Sequence, residues 1–155
     1  MRGVCARAGL TDRYFYESFT NRDELLVAVF NEVLNEVLET TGAVVAQVEG
    51  TPRDQARAAV LALLTFTDND PRKARLIFRE PFSDSALIAA GMVGATGLTQ
   101  ILAHAFPSTG SGARRAMTAI AQGGALATVL ATYQIGTLKV KPEDLVEFCA
   151  EIIAP

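Results

Sequence analysis

The stretch ARAGLTDRYFYESFTNRDELL, residues 6–26, decides how the chain is organised. It places four aromatic residues within six positions, among charged side chains. Gly9 suits the left-handed end of a helix, and Thr11 can cap the helix that follows. Phe15 and Phe19 share one face of that helix because they are four positions apart. The pattern predicts a helix, a tight turn and a short second helix with one apolar face, the order of a helix–turn–helix.

The rest of the chain is predicted to be helical as well. A capping pattern at Asn21 and Glu24, or at Thr20 and Asp23 one residue earlier, begins a long amphipathic helix, and Gly42 can end it. Further helical segments follow between Pro, Gly and Ser residues, and no segment alternates polar and apolar residues with period two. We therefore predict an all-α fold class. The apolar stripe of the long helix comprises Leu26, Val29, Phe30, Val33 and Val37.

Length and composition limit the function classes. The chain has 155 residues, half of them hydrophobic, and a formal net charge of −3. This length suits one domain with at most a small appendage. The hydrophobic share suggests a large core, a buried subunit interface, an apolar cavity, or all three. The overall charge does not indicate nucleic-acid binding, although an average can hide a small basic face.

Neither a signal peptide nor a membrane span is predicted. The N-terminal residues lack the apolar segment of a signal peptide. The best membrane candidate in the sequence, residues 119–136, is interrupted by Gln122 and Gln134, so its uninterrupted runs are too short to cross a bilayer. We therefore expect a cytoplasmic protein without a membrane partner.

Residues 4–30 resemble the tetracycline-repressor (TetR) family of transcriptional regulators. The typical run of that family is an alanine-rich helix end, Ala-Gly, an aliphatic residue, Ser or Thr, and an aromatic cluster ending in Phe. A polar pair with a basic residue, an acid and two leucines follow. The residues that match in order and spacing are Ala8, Gly9, Leu10, Thr11, Tyr16, Phe19, Asn21, Arg22, Leu25 and Leu26.

The resemblance implies roles in DNA binding for six residues. Arg13 is the best base reader among them, since a guanidinium can pair with guanine through two hydrogen bonds. Acids at Asp12 and Glu17 depart from the pattern because they repel phosphate, although they could accept from cytosine or orient Arg13. The alternative is a plain aromatic surface helix. The implied phosphate contacts are Thr11, Tyr16 and Arg22, and the implied base-facing residues are Asp12, Arg13 and Tyr14.

The DNA-binding part is expected to be incomplete. The family has three helices before the long linker helix, and this sequence begins inside what would be the second. In residues 1–30, four Arg minus four acids gives zero net charge, whereas DNA affinity comes largely from neutralised phosphates. We expect Phe15 and Phe19 to be exposed or misplaced, each losing about 1.5–3 kcal/mol relative to full burial. The chain as given is predicted not to bind operator DNA with useful affinity.

The larger part of the chain is implied to bind an effector and to dimerise. The domains expected are residues 1–41, a truncated helix–turn–helix segment with its linker helix, and residues 51–155, a helical effector-binding and dimerisation domain. An apolar or aromatic effector is expected, and Arg75 and Arg79 could meet an anionic group or lie on a solvated face. The ligand candidates, each also readable as core, are Phe66, Phe78, Met92, Leu102, Met117 and Tyr133.

Homodimerisation is expected through the last two long helices, residues 113–138 and 142–153. Small residues there allow close approach of another helix, either from a partner or from within the same subunit. The surplus of hydrophobic residues favours a two-fold dimer. The residues assigned to the dimer interface are Gly123, Gly124, Ala127, Ala131, Leu145, Phe148 and Ile152.

Enzymatic chemistry is not indicated. His104 is the single histidine and the two cysteines are distant, so we predict no metal site. Neither a nucleophile motif nor a phosphate-binding glycine loop occurs, and we predict no cofactor and no enzyme activity. The expected function is a ligand-responsive regulator that binds operator DNA as a homodimer in its complete form. The alternative is a dimeric small-molecule-binding module, or a heterodimerising modulator, without DNA binding.

Overall fold

Helices form the whole framework of the protein. A computed structural model describes residues 2–106 and 109–155. The structure is 81% helical and its described residues contain no strand, which confirms the all-α prediction. A 3₁₀ turn at Glu80–Phe82 separates the fifth and sixth helices. The α-helices are α1 Arg2–Ala8, α2 Asp12–Ser18, α3 Arg22–Val45, α4 Pro52–Asn69, α5 Pro71–Phe78, α6 Ser85–Ala105, α7 Gly112–Gln134 and α8 Pro142–Ile153.

Local capping chemistry explains where α4 and α5 begin. The Thr51 hydroxyl accepts from the backbone N–H of Asp54, and the Asp54 carboxylate accepts from the backbone N–H of Thr51, which completes a capping box. Asp70 caps α5 by accepting from the backbone N–H of Arg72. Pro52 and Pro71 occupy the first helical positions, where the missing N–H costs nothing. Hydrogen bonds from Thr51 hold the pKa of the Asp54 carboxyl below its ordinary value.

Two helix caps differ in part from the prediction. Thr11 occupies the N-cap position of α2, but its side chain makes no capping hydrogen bond. Asn21 caps α3 as expected by accepting from the backbone N–H of Glu24. The Glu24 carboxylate, however, accepts from the backbone N–H and the hydroxyl of Thr20 rather than from Asn21. Glu24 therefore bonds to the residue before the N-cap, because Thr20 offers two donors, its backbone N–H and its hydroxyl, to one carboxylate oxygen of Glu24.

Two helix ends were also predicted wrongly. α3 continues through Gly42 to Val45, because an interior glycine lowers helix stability without breaking the hydrogen-bond ladder. α7 ends at Gln134, four residues before the expected end at Leu138, where Gly136 adopts a φ of 78°. This left-handed conformation suits glycine and turns the chain away from the helix axis.

The main core lies between α4, α7 and α8. The apolar faces of these three helices meet in one hydrophobic cluster. The cluster buries Ala56, Val60, Leu64, Leu126, Leu130, Leu145, Val146, Cys149, Ala150 and Ile153.

Ion pairs at the edge of this core join α4 to α8. The Arg57 guanidinium donates to both carboxylate oxygens of Glu147, at 2.6 and 2.8 Å. Arg53 donates to Glu151 at 2.5 Å, and Arg57 also reaches Asp54 at 2.9 Å. The polar network therefore connects the capped start of α4 with the outer side of α8.

Glycines let α6 pack closely against its neighbours. A Cβ at Gly94 would lie 2.8 Å from a methyl group of Leu34 and near the ring of Phe30 on α3. A Cβ at Gly123 of α7 would lie 2.6 Å from Oγ1 of Thr99 on α6. Both contacts are closer than a side chain allows, so α6 is seated tightly between α3 and α7.

Candidate functional site

The N-terminal helices α1 and α2 form a small unit joined by three residues. Gly9 has a φ of 67°, and the backbone N–H of Leu10 donates to the carbonyl of Cys5 at 2.9 Å. This closes α1 with the left-handed glycine expected from the sequence. α1 and α2 pack mainly against each other. Residues 19–21 connect α2 to the start of α3.

The aromatic cluster of α2 is better packed than the sequence predicted. Phe15 is buried and Phe19 is half-buried. The Phe15 ring meets Tyr16 edge-on, with centroids 5.1 Å apart, and lies 5.8 Å from the Phe19 ring. Phe15 was expected to be exposed or misplaced, and it is buried, with the Tyr16 and Phe19 rings in contact with it.

The residues predicted to face DNA lie on an exposed side of α2. Thr11, Arg13, Tyr14 and Tyr16 are all exposed, whereas the side chain of Asp12 lies outside the described residues. The Arg13 guanidinium donates to a carboxylate oxygen of Glu17 at 2.8 Å. The charge of the predicted base reader is thereby compensated within its own helix.

Arg22 at the start of α3 is also held by acidic side chains. It donates to Asp84 at 2.9 Å and to Asp23 at 3.0 Å. Asp84 additionally accepts from the backbone N–H of Ala86 in the first turn of α6. The hydrogen bond from Arg22 is the largest cause that holds the pKa of Asp84 below its ordinary value. The predicted phosphate contact is therefore tied to the beginning of α6.

A cavity of about 520 Å³ lies where α4, α5 and α7 meet. Gln134 lines it and donates from Nε2 to Oγ1 of Thr67, 2.8 Å away. Thr67 is buried, and its hydroxyl donates to the backbone carbonyl of Leu64 at 2.9 Å. These bonds hold a side-chain amide at the cavity wall, where it can contact a ligand.

The remaining cavity wall combines apolar and charged side chains. Arg75 lies there with Nε donating to Glu80 at 2.6 Å. Such a wall suits a small molecule that has an apolar body and a polar end. The wall comprises Pro71, Ala74, Phe78 and Ile135 on its apolar side and Asp68, Arg75 and Arg79 on its charged side.

The six ligand candidates from the sequence are not gathered around this cavity. Phe78 lines it. Phe66 instead lies under the ammonium of Lys73, 4.9 Å from the ring centroid, and Tyr133 packs against the main core. Met92 and Met117 are exposed. The side chain of Leu102 lies outside the described residues.

Sequence reasoning missed the hydrogen bond that shapes the cavity. Thr67 and Gln134 are 67 positions apart, so no local pattern connects them. The signal available was a polar residue on an otherwise apolar helix face, at Gln134 in particular. Arg75 and Arg79 were recognised as an anion-binding alternative, and the structure places both at the cavity.

The residues assigned to the dimer interface divide into two groups. Gly123, Ala131 and Leu145 are buried by the chain itself, so a partner could not reach them in this conformation. Phe148 and Gly124 are exposed, and a Cβ at Gly124 would meet nothing within 4 Å. Ala127 and Ile152 are half-buried.

A metal site is not apparent in the described ranges, residues 2–106 and 109–155, because these contain no cluster of three His, Cys, Asp or Glu side chains. The chain matches no protein-family model and no curated protein sequence.

Proposed function

We propose that the protein is a ligand-responsive transcriptional regulator of the TetR type, whose body binds a small effector and pairs with a second copy. One observation carries the proposal: two short helices joined at the left-handed Gly9 lead into the capped 24-residue helix α3. In helix–turn–helix proteins the second helix enters the major groove, and its N-terminal residues contact base edges. Here α2 takes that role, with Arg13 and Tyr14 toward the bases.

The effector is proposed to be an apolar or aromatic small molecule in the cavity between α4, α5 and α7. Phe78 offers a ring surface there and Gln134 an amide. Arg22 and Asp84 link the start of α3, the helix that follows the DNA-binding unit, to the start of α6. A ligand changes DNA affinity only as far as it binds the two conformations unequally.

DNA binding by the chain itself is proposed to be weak and sensitive to salt. Arg13 and Arg22 are each held by carboxylates, and the formal charges of residues 1–30 cancel. Because protein–DNA affinity falls steeply with salt, weak binding is best detected at low ionic strength.

Selection from a random duplex library tests this function. At about 50 mM salt we expect enrichment of a palindromic site whose halves lie one helical turn apart, and loss of binding at about 200 mM. Arg13→Ala removes the base reader and should abolish the enrichment. Arg114→Ala removes an exposed arginine of α7 and should leave it unchanged.

Two results would count against the proposal in different ways. Nanomolar binding at physiological salt would overturn the predicted DNA-binding deficiency. No enrichment at low salt would overturn the regulator and favour the alternative, a dimeric small-molecule-binding module or heterodimerising modulator without DNA binding. The charge compensation of Arg13 and Arg22 by carboxylates is the observation that favours this alternative.

A further inference from the structure

One face of α5, continued by the residue that follows it, lines the cavity between α4, α5 and α7. Pro71, Ala74, Arg75, Phe78 and Arg79 all reach the cavity, and their spacings of three and four residues place them on one side of a helix. This side offers a ligand both an aromatic ring and positive charge. A ligand that fits it combines an apolar part with a group that interacts with guanidinium.

Arg79 differs from the other basic residues of this segment because it has no acidic partner. Within residues 2–106 and 109–155, its side chain forms neither an ion pair nor a hydrogen bond. The three basic residues of α5 itself are each bound to a carboxylate, in the pairs Arg72–Asp70, Lys73–Glu36 and Arg75–Glu80. The unpaired positive charge is thus the one at the end of α5, on the cavity wall.

Arg75 and Arg79 present two positive charges one helical turn apart, about 6 Å along the axis. Like charges at this spacing repel each other. Arg75 donates to Glu80 through Nε, and its terminal nitrogens have no partner among the described residues. A carboxylate that contacts both guanidinium groups would therefore satisfy donors at both positions and offset their repulsion.

The ends of α4 and α7 supply hydrogen-bond acceptors to the same cavity. The Thr67 hydroxyl donates to the backbone carbonyl of Leu64, so its oxygen accepts from Nε2 of Gln134. This bond fixes the orientation of the Gln134 amide, whose Oε1 has no partner in the described part of the chain. Asp68, next to Thr67, adds a carboxylate to the wall. This part of the cavity suits a ligand group that donates a hydrogen bond.

The acceptors and the arginines lie on opposite sides of Pro71 along the chain. Asp68 lies three residues before Pro71, in the last turn of α4, and Arg79 lies eight residues after it, about 12 Å along α5. No ion pair joins Asp68 to Arg79, two described residues that both line the cavity. The arrangement favours a ligand whose anionic group and hydrogen-bond donor are at different ends, with an apolar body between them against Phe78 and Ile135.

We propose that the cavity binds a small carboxylic acid with an apolar body and a hydrogen-bond donor at the end away from the carboxylate. The carboxylate binds Arg75 and Arg79, the body packs against Phe78, and the donor meets Oε1 of Gln134 beside the Asp68 carboxylate. This inference rests on the effector cavity of the proposed function and names the chemical class of its ligand. An uncharged apolar effector would leave Arg79 unpaired.

Isothermal titration calorimetry of the folded chain with three matched probes tests the inference. The probe para-hydroxyhydrocinnamate has all three features, hydrocinnamate lacks the phenolic donor, and para-hydroxyhydrocinnamyl alcohol lacks the charge. We expect a Kd of about 100 μM for para-hydroxyhydrocinnamate. Hydrocinnamate should bind at least about 5-fold more weakly, and the alcohol at least about 10-fold more weakly.

Matched arginine substitutions locate the carboxylate. Arg79→Gln removes the unpaired guanidinium and should weaken binding of para-hydroxyhydrocinnamate at least about 10-fold, without changing the binding of the alcohol. Arg72→Gln makes the same change of charge on α5, where the native side chain is 91% exposed and does not line the cavity. It should weaken binding less than about 2-fold. Circular dichroism checks that both variants fold.

Four outcomes would overturn the inference. Equal affinity for para-hydroxyhydrocinnamate and its alcohol would show an uncharged effector, and the effector cavity of the proposed function would survive. Equal affinity for the two acids would show that no donor is recognised at Gln134. Equal weakening by Arg79→Gln and Arg72→Gln would show attraction by overall charge rather than binding at Arg79. Absence of heat with all three probes up to about 5 mM would exclude this ligand class.

The duplex selection is carried out without a ligand, so it tests DNA binding separately from these titrations. Enrichment of a duplex together with failure of the titrations would overturn the ligand class and leave the regulator standing. Binding of para-hydroxyhydrocinnamate without duplex enrichment would support the ligand class and favour the small-molecule-binding module.

Discussion

At the scale of single residues, the contact between Thr99 and Gly123 fixes the distance between α6 and α7. The Thr99 hydroxyl donates to the carbonyl of Ala95 at 2.9 Å, and its β-branched side chain has little rotational freedom. Because the position of Oγ1 is so restricted, it cannot easily make room for a methyl group at residue 123. Gly123 is therefore required by packing within the subunit. The sequence pattern of small residues could not distinguish this from packing against a partner.

Gly123→Ala is expected to lower stability by about 1–2 kcal/mol, since the overlap outweighs the gain in helix propensity. Gly124→Ala, one residue on and facing open space, should instead raise stability by about 0.5–1 kcal/mol. Urea unfolding at one protein concentration measures both. In a Thr99→Ala background the penalty of Gly123→Ala should disappear. Equal stabilisation by both alanines would disprove the packing argument.

At the scale of elements, the helix starts could be predicted from neighbouring residues, whereas the hydrogen bonds between distant residues could not. Thr51, Pro52 and Asp70 act within one turn of their own position, so their roles could be predicted from neighbouring residues. Glycine is common at helix ends, so Gly42 was predicted as a possible end of α3. The helix continues past it because packing against α4 and α6 outweighs the low helix propensity of glycine. The hydrogen bond between Thr67 and Gln134 depends on how α4 and α7 are placed in space, and no local rule predicts it.

Low pH should weaken the ion pair between Arg57 of α4 and Glu147 of α8. A hydrogen bond from Arg57 is the largest cause that lowers the pKa of Glu147 below its ordinary 4.5 in the folded state. As the pH falls, the unfolded chain therefore takes up this proton first. The stabilisation is complete above about pH 4.5 and is lost as the pH falls through the lowered folded pKa.

Glu147→Gln should make the decline of stability in acid shallower, as measured by urea unfolding at a series of pH values. Glu143→Gln is the control on the same helix, since Glu143 forms no ion pair within residues 2–106 and 109–155. An unchanged acid profile for Glu147→Gln would show that the ion pair contributes nothing measurable, as many exposed pairs do.

At the scale of the whole molecule, the described helices form a packed body, and the short N-terminal unit of α1 and α2 precedes it. The body closes around α4, α7 and α8, and α3 and α6 pack together on it. α1 and α2 pack mainly against each other, and Val4, Leu10, Tyr14 and Tyr16 remain exposed. Local opening is easiest where few buried contacts hold an element.

Amide hydrogen exchange should therefore be fastest, among the helices, in residues 2–18 and slowest in α4 and α8. Mass spectrometry of peptic peptides resolves these segments, and the exposed loop at residues 46–50 serves as the reference for fast exchange. Protection of residues 2–18 equal to that of α8 would show that the unit is held by the body. Binding of a selected duplex should slow exchange in residues 2–26 specifically.

The pairing of α4 with α8 also determines when the protein can fold during its synthesis. Arg57 and Glu147 are 90 positions apart, and Arg53 and Glu151 are 98 apart. The ribosome synthesises α4 long before α8. The apolar face of α4 therefore remains without its partner helix until α8 has emerged. During that interval the nascent polypeptide exposes the apolar residues that later form the core, together with the apolar face of α6. Such exposed surface makes the nascent chain a substrate for a chaperone.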